Sequence, residues 1–213
     1  MKVAVILSGC GHLDGSEIHE ATLSLWALSK YDISYECFAP NKEQFHVMNH
    51  LTRQEVEEKR NVLVEAARIA RGNIKPLSEL NVCEFSALVM PGGYGAAKNL
   101  FTYAYDGKNF SVDKDIENKI IKFHEESKPI VALCISPLML AKVLKAKVTM
   151  GNDKETSDIV NFVGGTSENK NFDEICFDNN NKIITTACYM LQANPYQISL
   201  GIEKAIIKLK ELI

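Results

Sequence analysis

Three short stretches of this 213-residue chain carry residue types able to do covalent chemistry. In "IVALCIS" (130–136) an apolar run ends abruptly at Cys134, with a proline next to follow. A buried cysteine is ordinarily a small hydrophobe. A strand that turns directly into a helix, however, holds its first turn residue out at the sheet edge, the geometry of a nucleophile elbow. The helix start there supplies unpaired N–H groups and positive potential, which favour thiolate over thiol. Ala132 and Ser136 provide part of the small–x–nucleophile–x–small frame of such an elbow.

The second stretch is "PGG" at 91–93. Paired glycines after a strand let the backbone come close to a bound group with an N–H turned inward. The N–H of Gly93 and that of Ile135 can together cradle an oxyanion. The third is "GSEIHE" (15–20), which places Glu17 and Glu20 three residues apart on one face of a first helical turn. One acid in that position serves the helix dipole. The other, held at an apolar strand end, would be desolvated, have its pKa raised, and act as a proton carrier beside the thiol. His19 falls off that face and reads as a surface or packed histidine.

The elements that must hold these residues are legible as an alternation. "VAVIL" (3–7), "ISYECF" (33–38), "FSALVM" (85–90) and "PIVALC" (129–134) read as strands, rich in apolar and β-branched residues. Between and after them lie amphipathic helices over 16–30, 62–70, 112–127 and from Ser136 onward, with Ser16 expected as the first N-cap and Gly15 as a hinge. Pro137 is tolerated in a first helical turn. After "KVTM" (147–150) the chain becomes polar and Gly-rich until 172–187, which reads as two strands around an Asp-Asn turn. A helix over 195–213 closes the chain. Alternation of this kind predicts an α/β fold with a mostly parallel sheet covered on both faces, and sites at the carboxyl ends of its strands. All three chemical stretches sit at such ends, within one domain spanning 1–213.

Composition narrows the function classes. Lys and Arg number 24 against 27 Asp and Glu, and the net charge of -3 leaves no footprint for nucleic acid or an anionic membrane. The opening "MKVAVILSGCGH" holds too short an apolar run for a secretory signal, and no stretch approaches a membrane span. A cytoplasmic protein is the expectation. Cys10, Cys37, Cys83, Cys134, Cys176 and Cys188 form no C-x-x-C pair, so neither zinc spacing nor a disulfide framework is indicated. "GCGHLD" (9–14) opens like a dinucleotide fingerprint, but Asp14 stands where the third glycine belongs and would repel a pyrophosphate. A Cys–His–Glu glutaminase takes its histidine from beyond the cysteine. Here His12, His19, His46, His50 and His124 all precede Cys134.

The stretches "LSGCGHLDGSEIHEA", "RNVLVEAARIARG", "MPGGYGAAKNL" and "TTACYM" resemble the ElbB-type glyoxalases of the PfpI-like, class I glutamine amidotransferase-like superfamily, in register from first strand to last helix. That resemblance implies a flavodoxin-like three-layer sandwich with a nucleophile elbow, no cofactor and no metal, and a homodimer. It implies Cys134 as the reactive cysteine, Gly93 and the Ile135 N–H as oxyanion donors, and Glu20 as the glutamate on the cysteine, with Glu17 the alternative. The implied activity is cofactor-free conversion of small 2-oxoaldehydes, glyoxal and methylglyoxal, to 2-hydroxy acids through a hemithioacetal on Cys134. Some members also carry an isoprenoid-biosynthesis label. The chain departs from the pattern at Ser136 and at Ala187-Cys188, where the family has alanine and Pro-Ala, which brings Cys188 toward the pocket. Two other readings stand beside it: a redox-responsive cysteine protein, and an accessory amidotransferase-like protein without glutaminase activity.

Overall fold

A computed structural model describes residues Met1–Ile213. Its strands are β1 (Lys2–Ile6), β2 (Ser34–Ala39), β3 (Met48–Asn49), β4 (Gln54–Glu55), β5 (Ile74–Pro76), β6 (Ala87–Met90), β7 (Ile130–Leu133), β8 (Lys147–Val148), β9 (Thr166–Ser167), β10 (Cys176–Asp178) and β11 (Ile183–Thr186). Its helices are α1 (Ile18–Lys30), α2 (Val62–Ile69), α3 (Tyr103–Asp106), α4 (Lys114–Glu125), α5 (Pro137–Leu144), α6 (Lys154–Phe162) and α7 (Pro195–Leu212).

Seven strands form the central sheet in the order β10-β11-β7-β6-β1-β2-β5. Every pairing is parallel except β10 with β11. The central strands β6, β7 and β11 are buried at every residue, as strands covered on both faces must be, which is why they read as continuous apolar runs rather than alternating ones. Pro76 ends β5 at the sheet edge, where a missing N–H costs no ladder bond. α1 packs on α7 and α2 over one face, while α4 and α5 cover the other and α6 leans on α5. One continuous core of 54 buried residues runs from Val3 to Leu209. No helix is long and apolar enough to cross a membrane.

The expected flavodoxin-like α/β sandwich is therefore what the chain forms, with two local corrections. Ser16 is not the N-cap of α1: its hydroxyl accepts the Ser8 N–H at 2.8 Å, and Glu17 caps the helix by accepting the Glu20 N–H at 2.7 Å. The stretch after residue 150 contains a helix, α6, which its polar composition hides. Thr156, Ile159 and Val160 give it a narrow buried stripe, and Asp153 caps it by accepting the Thr156 N–H at 2.8 Å.

One property of the topology builds the site. β11, β7, β6 and β1 are consecutive neighbours and run parallel. The segments leaving their carboxyl ends are thus brought side by side, although they are far apart in sequence.

Candidate active site

Cys134 follows β7 directly and has φ 58°, the left-handed conformation that a non-glycine residue adopts only under constraint. Two contacts supply the constraint. The Cys134 N–H donates to the Thr186 carbonyl at 3.1 Å, and the buried Ser136 hydroxyl donates to the Pro91 carbonyl at 2.7 Å. Ser136 therefore ties the elbow to the Pro91–Gly93 turn, which is the structural use of a hydroxyl where the resembling family has alanine.

That turn needs both of its glycines. Gly93 has φ 101°, which is strained for any side chain. Gly92 lies against both the elbow and the carboxyl: a Cβ there would sit 2.6 Å from the Cys134 Cβ and 2.8 Å from Glu20 Oε2. Only hydrogen fits in that gap. The N–H groups of Gly93 and Ile135, the expected oxyanion donors, both face the Cys134 sulfur.

Of the two acids, Glu20 is the one at the thiol. It is fully buried, lies beside Cys134 across Gly92, and accepts the Gly92 N–H at 2.9 Å and the Tyr189 N–H at 3.4 Å. Glu17 caps α1 instead, with its second carboxylate oxygen 3.9 Å from His19. Burial first, and then the charge of Glu17, pushes the Glu20 carboxyl up to about 8. Burial and the Glu20 charge likewise raise the Cys134 thiol well above its ordinary range, against the pull of the Gly93 and Ile135 N–H groups. A proton on Glu20 removes that repulsion and lets the carboxyl donate to the sulfur. The two groups titrate as a pair.

The thiol opens onto a cavity of about 600 Å³. His12, Glu17 and His19 line it from the β1 end, Gly93, Tyr94 and Tyr103 from the β6 side, and Cys134 and Ile135 at the elbow. Asp153, Glu155 and Thr156 come from the start of α6, and Tyr189 and Met190 from beyond β11. His19 is exposed, as the sequence reading expected, and also borders the cavity, where its Nδ1 lies 2.7 Å from the Tyr189 hydroxyl. Tyr189, the α6 residues and His12 had not been expected there. Cys188 is fully buried, has φ 45° and is not part of the lining. Burial holds its thiol well above the ordinary range.

A parallel sheet with a cysteine on a left-handed turn, backed by a buried carboxyl and two backbone donors, defines an elbow-cysteine α/β protein. No family model matches the chain, but known proteins do. It is 41% identical, over 222 residues, to the human "Glutamine amidotransferase-like class 1 domain-containing protein 3, mitochondrial", covering 99% of this chain and 83% of that one. The chain belongs to the class 1 glutamine amidotransferase-like family. The crystal structure of an isoprenoid biosynthesis protein with an amidotransferase-like domain from Ehrlichia chaffeensis superposes with a TM-score of 0.93 at 38% identity, covering 100% of each chain. A glyoxalase III from Candida albicans shares the fold at a TM-score of 0.63 and 14% identity, covering 97% of this chain and 96% of that one.

The expectation of a cytoplasmic protein is corrected by these relatives, since the human one is mitochondrial by name. The physical reason is plain. Organelle import uses amphipathic, Arg-rich segments, on which a search for apolar runs is silent.

Proposed function

We propose that the chain is a cofactor-independent glyoxalase of the ElbB type, acting on small 2-oxoaldehydes through Cys134. The observation that carries this reading is the buried Glu20 carboxyl against the thiol, with a pKa raised to about 8. Such a group can both donate and accept a proton near neutral pH, which a solvated carboxylate cannot do efficiently.

The sulfur of Cys134 passes its proton to the Glu20 carboxylate and adds to the aldehyde carbon, C1, and the electron pair of the C1 carbonyl moves to its oxygen. The Gly93 and Ile135 N–H groups hold that alkoxide, and Glu20 hands it a proton to give the hemithioacetal. Glu20, now a carboxylate, removes the hydrogen of C1 as a proton and returns it to C2, while the C1 hydroxyl proton passes to the C2 oxygen. C1 is then a thioester. Water cleaves it to the 2-hydroxy acid and the free thiol. The oxidation at C1 balances the reduction at C2, so no external electron carrier is required.

The glyoxalase named in the structural likeness supports the reading through its shared fold. The isoprenoid wording attached to the Ehrlichia protein finds no physical support here, because no lysine or arginine lines the cavity to hold a diphosphate. The test is a panel of glyoxal, methylglyoxal and glutamine, offered to the wild type and to Cys134→Ala. Lactate should form from methylglyoxal with the wild type and fall to background with the variant. Ammonia should not be released from glutamine, because no histidine follows Cys134 in the chain to serve as a glutaminase base and the thiol is partnered by a carboxyl instead. Cys134-dependent ammonia release, or no turnover of either aldehyde, refutes the proposal.

A further inference from the structure

The mouth of the cavity has a composition that the chemistry at its floor does not call for. Above Cys134, which is itself only 8% exposed, the wall carries three tyrosines, Tyr94, Tyr103 and Tyr189, and three carboxylates, Glu17, Asp153 and Glu155. No lysine or arginine is among the lining residues. Asp153 uses one oxygen to cap α6, accepting from the Thr156 N–H and hydroxyl, and its other oxygen has no hydrogen-bond partner. Glu155 stands exposed in the next turn position. Both acids act on Tyr103: burial first, then the charges of Glu155 and Asp153, hold its hydroxyl above the ordinary range.

The charge pattern continues outward. A neighbouring hollow shares Tyr94, Tyr103 and Glu155 and brings in Asp158 together with Lys108. That lysine sits over the Phe162 ring, 5.2 Å from its centroid. At the cavity wall itself no lysine or arginine faces the three carboxylates; the basic side chains there are His12 and His19, the latter 3.9 Å from Glu17, which leaves Asp153 and Glu155 without a cationic partner.

Acids at a helix start ordinarily serve the helix dipole, and Asp153 does so. A dipole needs no tyrosines, however, and no shared hollow with a buried thiol at its base. Aromatic faces carry negative quadrupole potential, and rings combined with carboxylates are the chemistry that recognises ammonium and quaternary ammonium groups. The same collar repels carboxylates and phosphates approaching the thiol.

We propose that this collar selects a cationic substrate, an aldehyde whose carbonyl reaches Cys134 while an ammonium or quaternary ammonium group at its far end lies among Tyr94, Tyr103, Asp153 and Glu155. The aldehyde end of this inference rests on the glyoxalase reading; the cation end rests on the collar alone.

Two measurements separate them. The first needs no turnover: labelling of Cys134 by methanethiosulfonates bearing either a trimethylammonium or a sulfonate group, each rate normalised to that with a free small thiol. Labelling is read at the Cys134 peptide, because Cys83 is exposed and Cys10 partly so. The cationic reagent should be favoured by roughly tenfold or more, the scale expected of a few carboxylates and ring contacts. That preference should shrink several-fold in the double variant Asp153→Asn, Glu155→Gln, in which asparagine preserves the cap, and again in high salt. The second is kcat/KM for three phenylglyoxals that differ in the para substituent, trimethylammonium, tert-butyl and carboxylate, in that expected order. The first two groups are near-isosteric and differ in charge. A labelling preference at or below unity, one unmoved by the double variant, or an elbow thiol that the cationic reagent fails to label overturns the inference. If labelling favours the cation while no glyoxal is consumed, the glyoxalase reading falls and the collar's selectivity stands. If the glyoxals are consumed without regard to charge, the reverse holds.

Discussion

Glu20→Gln should lose methylglyoxal turnover by about 10²-fold or more, the usual scale for a general base, while Cys134 stays open to alkylation by iodoacetamide. The amide keeps an acceptor for the Gly92 N–H and an N–H donor for the sulfur, but it cannot carry a proton from C1 to C2. Glu20→Leu removes the donor as well and should lose both properties. The same glutamine variant should be the more stable protein, and the sign follows from linkage. The Glu20 carboxyl has an ordinary value of 4.5 and stands at about 8 when folded. Between those values the folded state binds more protons than the unfolded chain, so wild-type stability falls as pH rises through that window. Glutamine has no such dependence. Its advantage in Tm should grow from about pH 4.5 to 8 and then level off, reaching on the order of a few kcal/mol for a fully buried carboxyl. Thermal melts of both proteins from pH 5 to 9, set beside lactate formation, make the comparison. Undiminished turnover in the variant rules Glu20 out as the base, and a pH-independent Tm difference rules out its raised pKa.

Gly92→Ala should be nearly as damaging, through shape alone. The added methyl would meet the Cys134 Cβ at 2.6 Å and Glu20 Oε2 at 2.8 Å, and the Leu133 carbonyl at 3.0 Å on a third side. Two of these three neighbours belong to buried backbone or to its first side-chain atom, so little of the wall can give way. Overpacking of this kind costs about 1–3 kcal/mol in stability. The larger effect should be on the chemistry, because the methyl wedges the carboxyl away from the sulfur. A shift of about 1 Å in such a pair costs roughly 10²-fold in rate. The readouts are lactate formation and the rate of alkylation against pH: separated from Glu20, the thiol should lose the pH dependence it inherits from the pair. A variant with normal turnover would mean that the contact between Cys134 and Glu20 is incidental.

Much of this centre is legible in the sequence because its parts are local. An apolar run that stops at Cys134, the paired glycines before Tyr94, and a carboxylate pair three residues apart each announce themselves within six residues. The sheet order then needs only the rule that chemistry gathers at carboxyl strand ends. What sequence leaves open has equally specific reasons. Glu17 and Glu20 share a helical face, and only the neighbour each one meets, the α1 N-terminus or the thiol, tells cap from proton carrier. The Tyr189 N–H that holds Glu20 is a backbone group, and a backbone donor has no residue signature. α6 escapes notice because two buried aliphatics in a charged segment make a weak periodic signal, and with it go Asp153 and Glu155. His19 is off the face that touches Cys134, as its position implies, yet the residue that draws it to the cavity, Tyr189, lies 170 positions away.

That separation has a consequence for how the protein comes into being. The thiol's surroundings are drawn from residues 17–20, 92–93, 134–135 and 189, held by four parallel strands that cannot pair until the helices between them have crossed over. Long-range parallel pairing is the slow part of folding, since the loop-closure entropy must be met before the contacts return it. β11 enters last in chain order yet inserts between β7 and β10, and the segment just beyond it delivers the final hydrogen bond to Glu20. A nascent chain lacking its last third therefore carries a cysteine with no completed partner and no enclosed cavity. The surroundings that join Cys134 to Glu20 thus arrive only with the finished sheet.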